Sequence, residues 1–298
     1  MDWRPRPPSR ADAAGVLELV NACTRADVDM AVLSAGDLGD EWATRRLELA
    51  VVEDPRGRVV GYLETEGDGL DLFFEGFVHP ECRGRGIGSQ LVEHAETIAV
   101  GRGAKTVTTN VGSETAVAFF EARGYRVIES EYAMFLDLEE VPGIDLPTGV
   151  TTRTFVEGSD EGEMYRAIRD SFGDDWPDST ADPEAWMSGH QSAPTYDPDL
   201  WLFAVADGAV VGAVMNRTHW HAQTDTGWVK NLGVVPAWRR RGVGRALLIE
   251  SARLFRARGK RRMVLGVAAD NPTGAPAFYR TVGLDVGGRS WDLRRAVS

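Results

Sequence analysis

Apolar residues along this chain alternate between a helical and a strand-like period, and the alternation occurs twice. Near the start, Ala13, Val16, Leu17 and Val20 fall at helical spacing behind Ser9, a capable N-cap, which predicts a helix over Arg10 to Ala22. Strand-like runs follow: Leu47 to Glu53 and Val59 to Glu64 flank a turn at Asp54 to Gly57, and Leu70 to Val78 ends at His79 and Pro80. The pattern then predicts a helix over Ile87 to Gly101, a strand over Thr106 to Thr109, a helix over Thr115 to Arg123 and a strand over Arg126 to Leu136. In the second half, Ser159 or Asp160 caps a helix. Strands over Leu200 to Ala206, Ala209 to Thr218 and Gly227 to Val234 come next, then a helix over Val243 to Arg258, a strand over Arg262 to Ala268, a helix over Thr273 to Thr281 and a strand over Arg289 to Leu293.

The shared order reflects an internal repeat. Gly61 in the first strand pair matches Gly212, 151 positions later. FVHPECRGRGIGSQLVEHA, Phe77 to Ala95, is echoed by GVVPAWRRRGVGRALLIESA, Gly233 to Ala252, with Pro80 and Pro236, and Gly88 and Gly244, each 156 apart. FFEARGYRV from Phe119 is echoed by FYRTVGLDV from Phe278, with Gly124 and Gly283 159 apart. Offsets that creep by a few residues indicate duplication followed by small insertions. The seam lies in the proline- and glycine-broken stretch Val141 to Gly149, so residues 1–145 and 146–298 are read as two domains. Each is expected to be α+β, a mixed, mostly antiparallel twisted sheet flanked by helices.

Length and composition agree with two ordinary globular units: 298 residues, 43% hydrophobic and 26% charged. The net charge of −12 argues against nucleic-acid or anionic-membrane surfaces and favours a cationic small-molecule partner. With two cysteines, Cys23 and Cys82, a disulfide framework is not expected and a reducing cytoplasm fits. No run approaches the roughly 20 apolar residues that span a bilayer, so no membrane role is expected. A monomer or homodimer is the expected state.

In each copy an apolar strand passes through Pro into a glycine-spaced, arginine-containing turn and then directly into a helix. Glycines allow close approach of the backbone, the first helical N–H groups point outward, and the helix dipole adds partial positive charge, so the turn is an anion site. Arg83, Arg85, Arg239, Arg240, Arg241 and Arg245 supplement it. The spacing is neither the G-x-G-x-x-G of a dinucleotide fold nor a P-loop. It resembles motif A of the GNAT acetyltransferases, Arg/Gln-x-x-Gly-x-Gly/Ala, matched by Arg83, Gly86 and Gly88 and again by Arg239, Gly242 and Gly244. Downstream, Asp270 to Leu284 resembles that family's Asn…Ala…Tyr-x-x-x-Gly motif.

The resemblance implies tandem GNAT folds and acetyl-CoA as cosubstrate. Its pyrophosphate is expected on Arg83, Gly84, Arg85, Gly86, Ile87, Gly88 and Ser89, and on Arg239, Arg240, Arg241, Gly242, Val243, Gly244 and Arg245, with Asn271 and Tyr279 also at the cofactor. Its pantetheine is expected beside Phe77, Val78 and His79, and beside Gly233, Val234 and Val235. The resemblance further implies direct attack by an amine, with a backbone N–H near Val234 as oxyanion donor and Tyr279, four before Gly283, as the acid for the leaving thiolate. The plain alternative for Tyr279 is a packed aromatic, as expected of Phe120 in the first copy. Many family members carry a basic Glu on the strand before motif A. The second copy has Lys230 and Asn231 there, whereas the first has Glu75. His219 and His221, read as two apart on one strand face, and Asp270 are substitute bases; no metal site is expected. Asp160, Glu161, Glu163, Asp170, Asp174, Asp175, Asp178, Asp182 and Glu184 crowd beside Trp176 and Trp186, which reads as a solvated acidic segment or as the wall of a site for a cationic amine.

The leading expectation is acetylation of a primary amine of a small molecule by the second copy, the first being a degenerate CoA-binding or scaffold domain. The layout is also similar to mycothiol synthase, a tandem member that acetylates an amino-sugar thiol precursor. A catalytically idle acyl-CoA sensor is the reading from a different class.

Overall fold

The computed structural model describes residues 3–28, 38, 42, 47–67, 69–139, 141, 143, 146–173 and 182–297. The first half comprises α1 (Ala13–Val28), β1 (Glu48–Glu53), β2 (Val59–Glu66), β3 (Asp71–Val78), α2 (Ile87–Arg102), β4 (Thr106–Val111), α3 (Glu114–Glu121) and β5 (Arg126–Asp137). The second comprises β6 (Val150–Thr154), α4 (Glu161–Phe172), α5 (Pro183–Gln191), β7 (Leu202–Ala206), β8 (Ala209–Arg217), β9 (Thr226–Val234), α6 (Val243–Ala257), β10 (Arg262–Ala268), α7 (Ala275–Val282) and β11 (Asp285–Ala296). The architecture is α+β with a mixed, mostly antiparallel sheet; β3 with β4 and β9 with β10 are the parallel pairs.

Two elements escape the sequence pattern. β6 has the sequence VTTRT, in which Val150 is the lone strongly apolar residue, and it forms the sheet edge beyond β7. α5 is nine residues long and starts by local chemistry: Asp182 accepts from the N–H groups of Glu184 and Ala185, and Pro183 sits at the first helical position. β11 begins at Asp285, ahead of the expected Arg289, running through Gly287 and Gly288. A Cβ on Gly287 would lie 2.6 Å from the Phe135 ring, so glycine lets the two strands close there.

Among the described residues, eleven strands form one sheet in the order β1-β2-β3-β4-β11-β5-β10-β9-β8-β7-β6. The last strand of each copy therefore closes the other copy's sheet. β11 pairs with β4 from Trp291↔Val111 to Ala296↔Thr106, and β5 pairs with β10 from Arg262↔Asp137 to Ala268↔Glu131. β5 and β11 also pair with each other, which makes the sheet continuous.

The side chains follow the strands. Leu293, fully buried, packs in the first core with Leu72, Phe74, Leu91 and Val107. Met134, Leu136 and Leu138 pack in the second with Leu247, Phe255 and Met263. The repeat boundary near residue 145 lies outside the described residues, and each core is completed from across it. Leu293→Ala is therefore expected to destabilise the first copy's core by about 2–5 kcal/mol, as large-to-small changes at fully buried leucines do. Denaturant unfolding monitored by a probe in the first copy checks this; a loss confined to the second copy would contradict the exchange.

Candidate active site

In both copies the strand, turn and helix of the anion loop are built alike. After β3, Pro80–Cys82 forms a single 3-10 turn, Gly84 and Gly86 take φ of +74° and +90°, and α2 starts at the fully buried Ile87. After β9, Pro236–Trp238 repeats the turn, and Arg240 and Gly242 take φ of +62° and +88° before the buried Val243 starts α6. Arg240 thus holds a left-handed conformation that its counterpart Gly84 adopts without a Cβ penalty, a strain of about 1 kcal/mol. The helix caps Gly86 and Gly242 carry no side-chain acceptor, which leaves the first-turn N–H groups open to an anion. At Gly88 and Gly244 the rings of Phe119 and Phe278 approach to 3.5 Å of where a Cβ would stand.

The arginines divide into two groups. Arg83 donates to Val78 O and to both carboxylate oxygens of Asp27, and Arg239 donates to Val234 O and Ser171 O. These two tie the loop to the end of the same copy's first helix, α1 or α4. Arg245 donates to Thr281 O, and Arg241 lies over the Trp238 ring. The side chains of Arg85 and Arg240 make no hydrogen bond or ion pair among the described residues; the backbone oxygen of Arg85 accepts from the Trp3 indole N–H. Asn271 accepts through its side-chain oxygen from the N–H and hydroxyl of Thr273, so it shapes the turn into α7.

Each copy also contains an open V. The parallel ladders end at Phe74↔Thr109 and Val229↔Leu265, beyond which β3 and β9 run without a neighbour on that side. His79 N–H bonds Val60 O and Val235 N–H bonds Val211 O, so the alternation of an antiparallel ladder turns the N–H and C=O of Val78 and Gly76, and of Val234 and Leu232, into the V. An extended chain with two amides fits such an edge. Phe77, His79, Gly233 and Val235, by the same alternation, direct theirs to the neighbouring strand. Leu232, not singled out in the sequence, lies one donor deeper than Val234.

The two V shapes differ at the mouth. β2 and β3 pair without interruption, whereas β8 and β9 shift register: Met215 faces Asn231 and Asn216 faces Val229, leaving Lys230 as an extra, bulged residue. On α7, which packs beside β10, Tyr279 lies against Phe278, and burial pushes its hydroxyl pKa up to about 12. In the first copy Phe120 occupies that position within a cluster of Phe74, Phe119 and Tyr125.

A cavity of about 630 Å³ connects the two copies along the exchanged strands. Glu64 and Glu75 line it from the first copy, Glu131 and Tyr132 from β5, and Trp220, Trp228, Lys230 and Gly266 from the second. Tyr62 donates to Glu64. His219 and His221 do not share a strand face: β8 ends at Arg217, and His221 sits in a turn with φ of +48°, because the Trp220–Gln223 bridge reverses the chain. His221 nonetheless lines the cavity between Trp220 and Trp228. The acidic segment is largely structural. Arg153 binds Asp160 and Glu163, Arg169 binds Asp170, Asp182 caps α5, and Trp186 packs on Tyr165 and His190. Asp174, Asp175, Trp176 and Asp178 lie outside the described residues.

Comparison with known proteins gives these features a family. Residues 162–284 match the model of the acetyltransferase (GNAT) family, and residues 45–127 match that of the acetyltransferase (GNAT) domain. A mycothiol acetyltransferase of Nocardia farcinica is 30% identical over 287 residues, spanning 91% of this chain and 90% of its own length. The chain belongs to the GNAT acetyltransferase family. A GCN5-related N-acetyltransferase from Sphaerobacter thermophilus superposes with a TM-score of 0.84 at 34% identity, over 99% of this chain and 95% of the other. A tandem GNAT protein from the clavulanic acid biosynthesis pathway, 20% identical with a TM-score of 0.74, covers 100% of this chain and 98% of its own and shares the fold. The protein is thus a tandem GNAT acetyltransferase, and acetyl-CoA is the acetyl donor of this family. Its paired V and uncapped helix start fit that donor. Among the described residues there is no cluster of three or more His, Cys, Asp or Glu able to hold a metal, and no helix long and apolar enough to cross a membrane.

Gly242→Glu places a carboxylate and a strained left-handed residue at the start of α6. It is expected to abolish turnover, with Gly86→Glu acting mainly on stability; thiol release and thermal denaturation of both variants check this, and the reverse pattern would move catalysis to the first copy.

Proposed function

We propose that this tandem GNAT enzyme acetylates a primary amine of a small molecule by direct attack at the second copy, with the first copy as a CoA-binding or scaffold domain. The observation that carries this reading is the asymmetry of the two V shapes. The second combines the Lys230 bulge at its mouth with Tyr279 on α7, the helix packed beside β10, whereas the first has a regular ladder and Phe120.

Acetyl-CoA, held by the α6 loop from Arg239 to Arg245 and along Gly233 to Val235, supplies an activated thioester. The remaining chemistry belongs to the chain. The Val234 and Leu232 N–H groups face the V and can donate to a carbonyl oxygen as it gains negative charge. Tyr279 can donate its proton to the sulfur as the C–S bond breaks, and its raised pKa keeps the hydroxyl protonated through the neutral and mildly alkaline range. The cavity brings the carboxylates of Glu64, Glu75 and Glu131 and the Trp220 ring to the mouth of this V, groups that attract an ammonium, while Lys230 itself lies over the Trp228 ring. A cytoplasmic, small-molecule role is consistent with these features.

The similarity to mycothiol acetyltransferases supports a second reading, in which the amine belongs to an amino-sugar thiol precursor. A panel of primary amines including amino sugars, read by thiol release from acetyl-CoA, separates the two. Tyr279→Phe is expected to lower kcat by roughly 10²–10⁴-fold, the usual contribution of a positioned proton donor, with acetyl-CoA affinity retained. In the wild type no alkaline limb attributable to Tyr279 should appear below about pH 10, since its pKa lies near 12. If wild type and variant both bind CoA and neither turns over any amine, the protein is a sensor and the proposal fails.

A further inference from the structure

The second copy lacks the carboxylate expected on its own strand, and the exchange of last strands brings one in. We propose that Glu131, carried on β5 from the first copy's sequence, is the general base that deprotonates the acceptor ammonium at the second copy's active site. The inference rests on the acetyltransferase reading above and adds a residue to it.

The placement follows from the sheet. Val229↔Leu265 is the last pair between β9 and β10, so Lys230 and Gly266 are the two residues at the mouth of the V. β5 lies directly beside β10, with Glu131 opposite Ala268 and Ala133 opposite Gly266. The Glu131 side chain reaches back along the ladder over Gly266: a Cβ on residue 266 would stand 2.4 Å from Oε1, so the carboxylate occupies space that only glycine leaves open. The phosphate loop lies beyond the other end of the V, after Val234, so an acyl group on an arm anchored there points towards this mouth.

Glu131 has no structural employment. Among the described residues it makes no hydrogen bond and no ion pair. Glu131 keeps solvent exposure, and the partial desolvation it meets in the cleft raises its pKa; Lys230 on β9 opposes that shift, while Glu129 on β5 and Asp292 on β11 reinforce it. The first copy's mouth is built differently. Asn110, the counterpart of Gly266, carries a side chain that donates to Asp292 at 2.6 Å. The counterpart of Glu131, 159 residues on, is Ser290, its direct partner across the β5·β11 ladder. The exchange thus delivers a carboxylate to the second site and a hydroxyl to the first.

The proton balance closes. Glu131 takes one proton from the ammonium, the amine nitrogen forms the N–C bond, and the C–S bond breaks with the sulfur receiving the Tyr279 proton. The second nitrogen proton restores Tyr279, and Glu131 releases its proton to water, for a net yield of amide, thiol and one proton.

The test uses the full chain and an amine accepted in the panel above. Glu131→Gln is expected to lower kcat/KM at neutral pH by roughly 10²–10⁴-fold with unchanged acetyl-CoA affinity, to lose the acidic limb of the wild-type profile, and to recover as pH rises and free amine accumulates. Glu131→Asp should restore part of the rate. Independently of turnover, the Glu131 carboxyl, identified by NMR against Glu131→Gln, should titrate in the acetyl-CoA-free protein at the pH of that acidic limb. Gln activity within a few-fold of wild type with the same profile, or titration away from the limb, overturns the assignment while leaving the acetyltransferase reading intact. A wild type that turns over no amine overturns both.

Discussion

The antiparallel ladder between β5 and β11 is the constraint on which the rest of the molecule depends. It runs from Asp285↔Phe135 to Arg294↔Arg126 and is flanked on either side by ladders to the opposite copies. Each copy needs a strand beside β4 or β10 to close a core, and the repeat makes both slots acceptors for either last strand. Taking the partner's strand joins the copies by backbone hydrogen bonds and by fully buried side chains, Leu293 in one core and Met134 in the other. The central cleft is a consequence of this exchange, because its floor is the exchanged pair itself.

Against that near-symmetric frame, a few residues create the functional asymmetry. The pairing of Phe74 with Thr109 and of Val229 with Leu265 places the β3 and β9 counterparts 155 apart, whereas Pro80 and Pro236 are 156 apart. The extra residue is Lys230, and it breaks the β8·β9 ladder where the V opens. Such a bulge reverses which face later side chains occupy: Val229 packs in the core, and Gly233, beyond the bulge, lies against Ser171 and Ile168 of α4. In the first copy, the aromatic cluster around Phe120 fills the space below α3 with carbon, which favours packing over chemistry.

Much of this was legible in the sequence. Strong periodicity gave the helices and most strands, and the Gly86 and Gly242 turns are readable because few other residues reach φ near +90°. The exchange was not legible, since β5 and β11 are similar enough in pattern that nothing local states which slot each enters. The roles of Arg83 and Arg239 were equally hidden: a basic residue in a phosphate loop suggests an anion, yet both point back to carbonyls and to the end of α1 or α4. Glu131 carried no signal because its significance depends on Gly266, 135 positions away, and on a pairing between copies. The bulge was present as a one-residue step in the offsets, a signal readable only with the ladder in hand.

Electrostatics separates the two reactants of the proposed transfer, a polyanionic donor and an ammonium, on one acidic chain. The net charge of −12 acts over a range that salt cuts to about 8 Å at physiological ionic strength. Within that distance the anion loop is governed by outward N–H groups, the dipole of a fifteen-residue helix and Arg240. The cleft mouth is lined instead by Glu64, Glu75 and Glu131 and by the Trp220 ring, together with Lys230, whose ammonium lies over the Trp228 ring. The V runs between these two environments, with the anion loop at one end and the carboxylates, beside Lys230, at the other. In the proposed reaction the donor's phosphate then faces outward and the amine inward before any bond changes. Placing the carboxylates on strands from the other copy keeps them off the phosphate loop. In that arrangement the strand exchange separates two charge requirements that a single copy would have to satisfy within its own V.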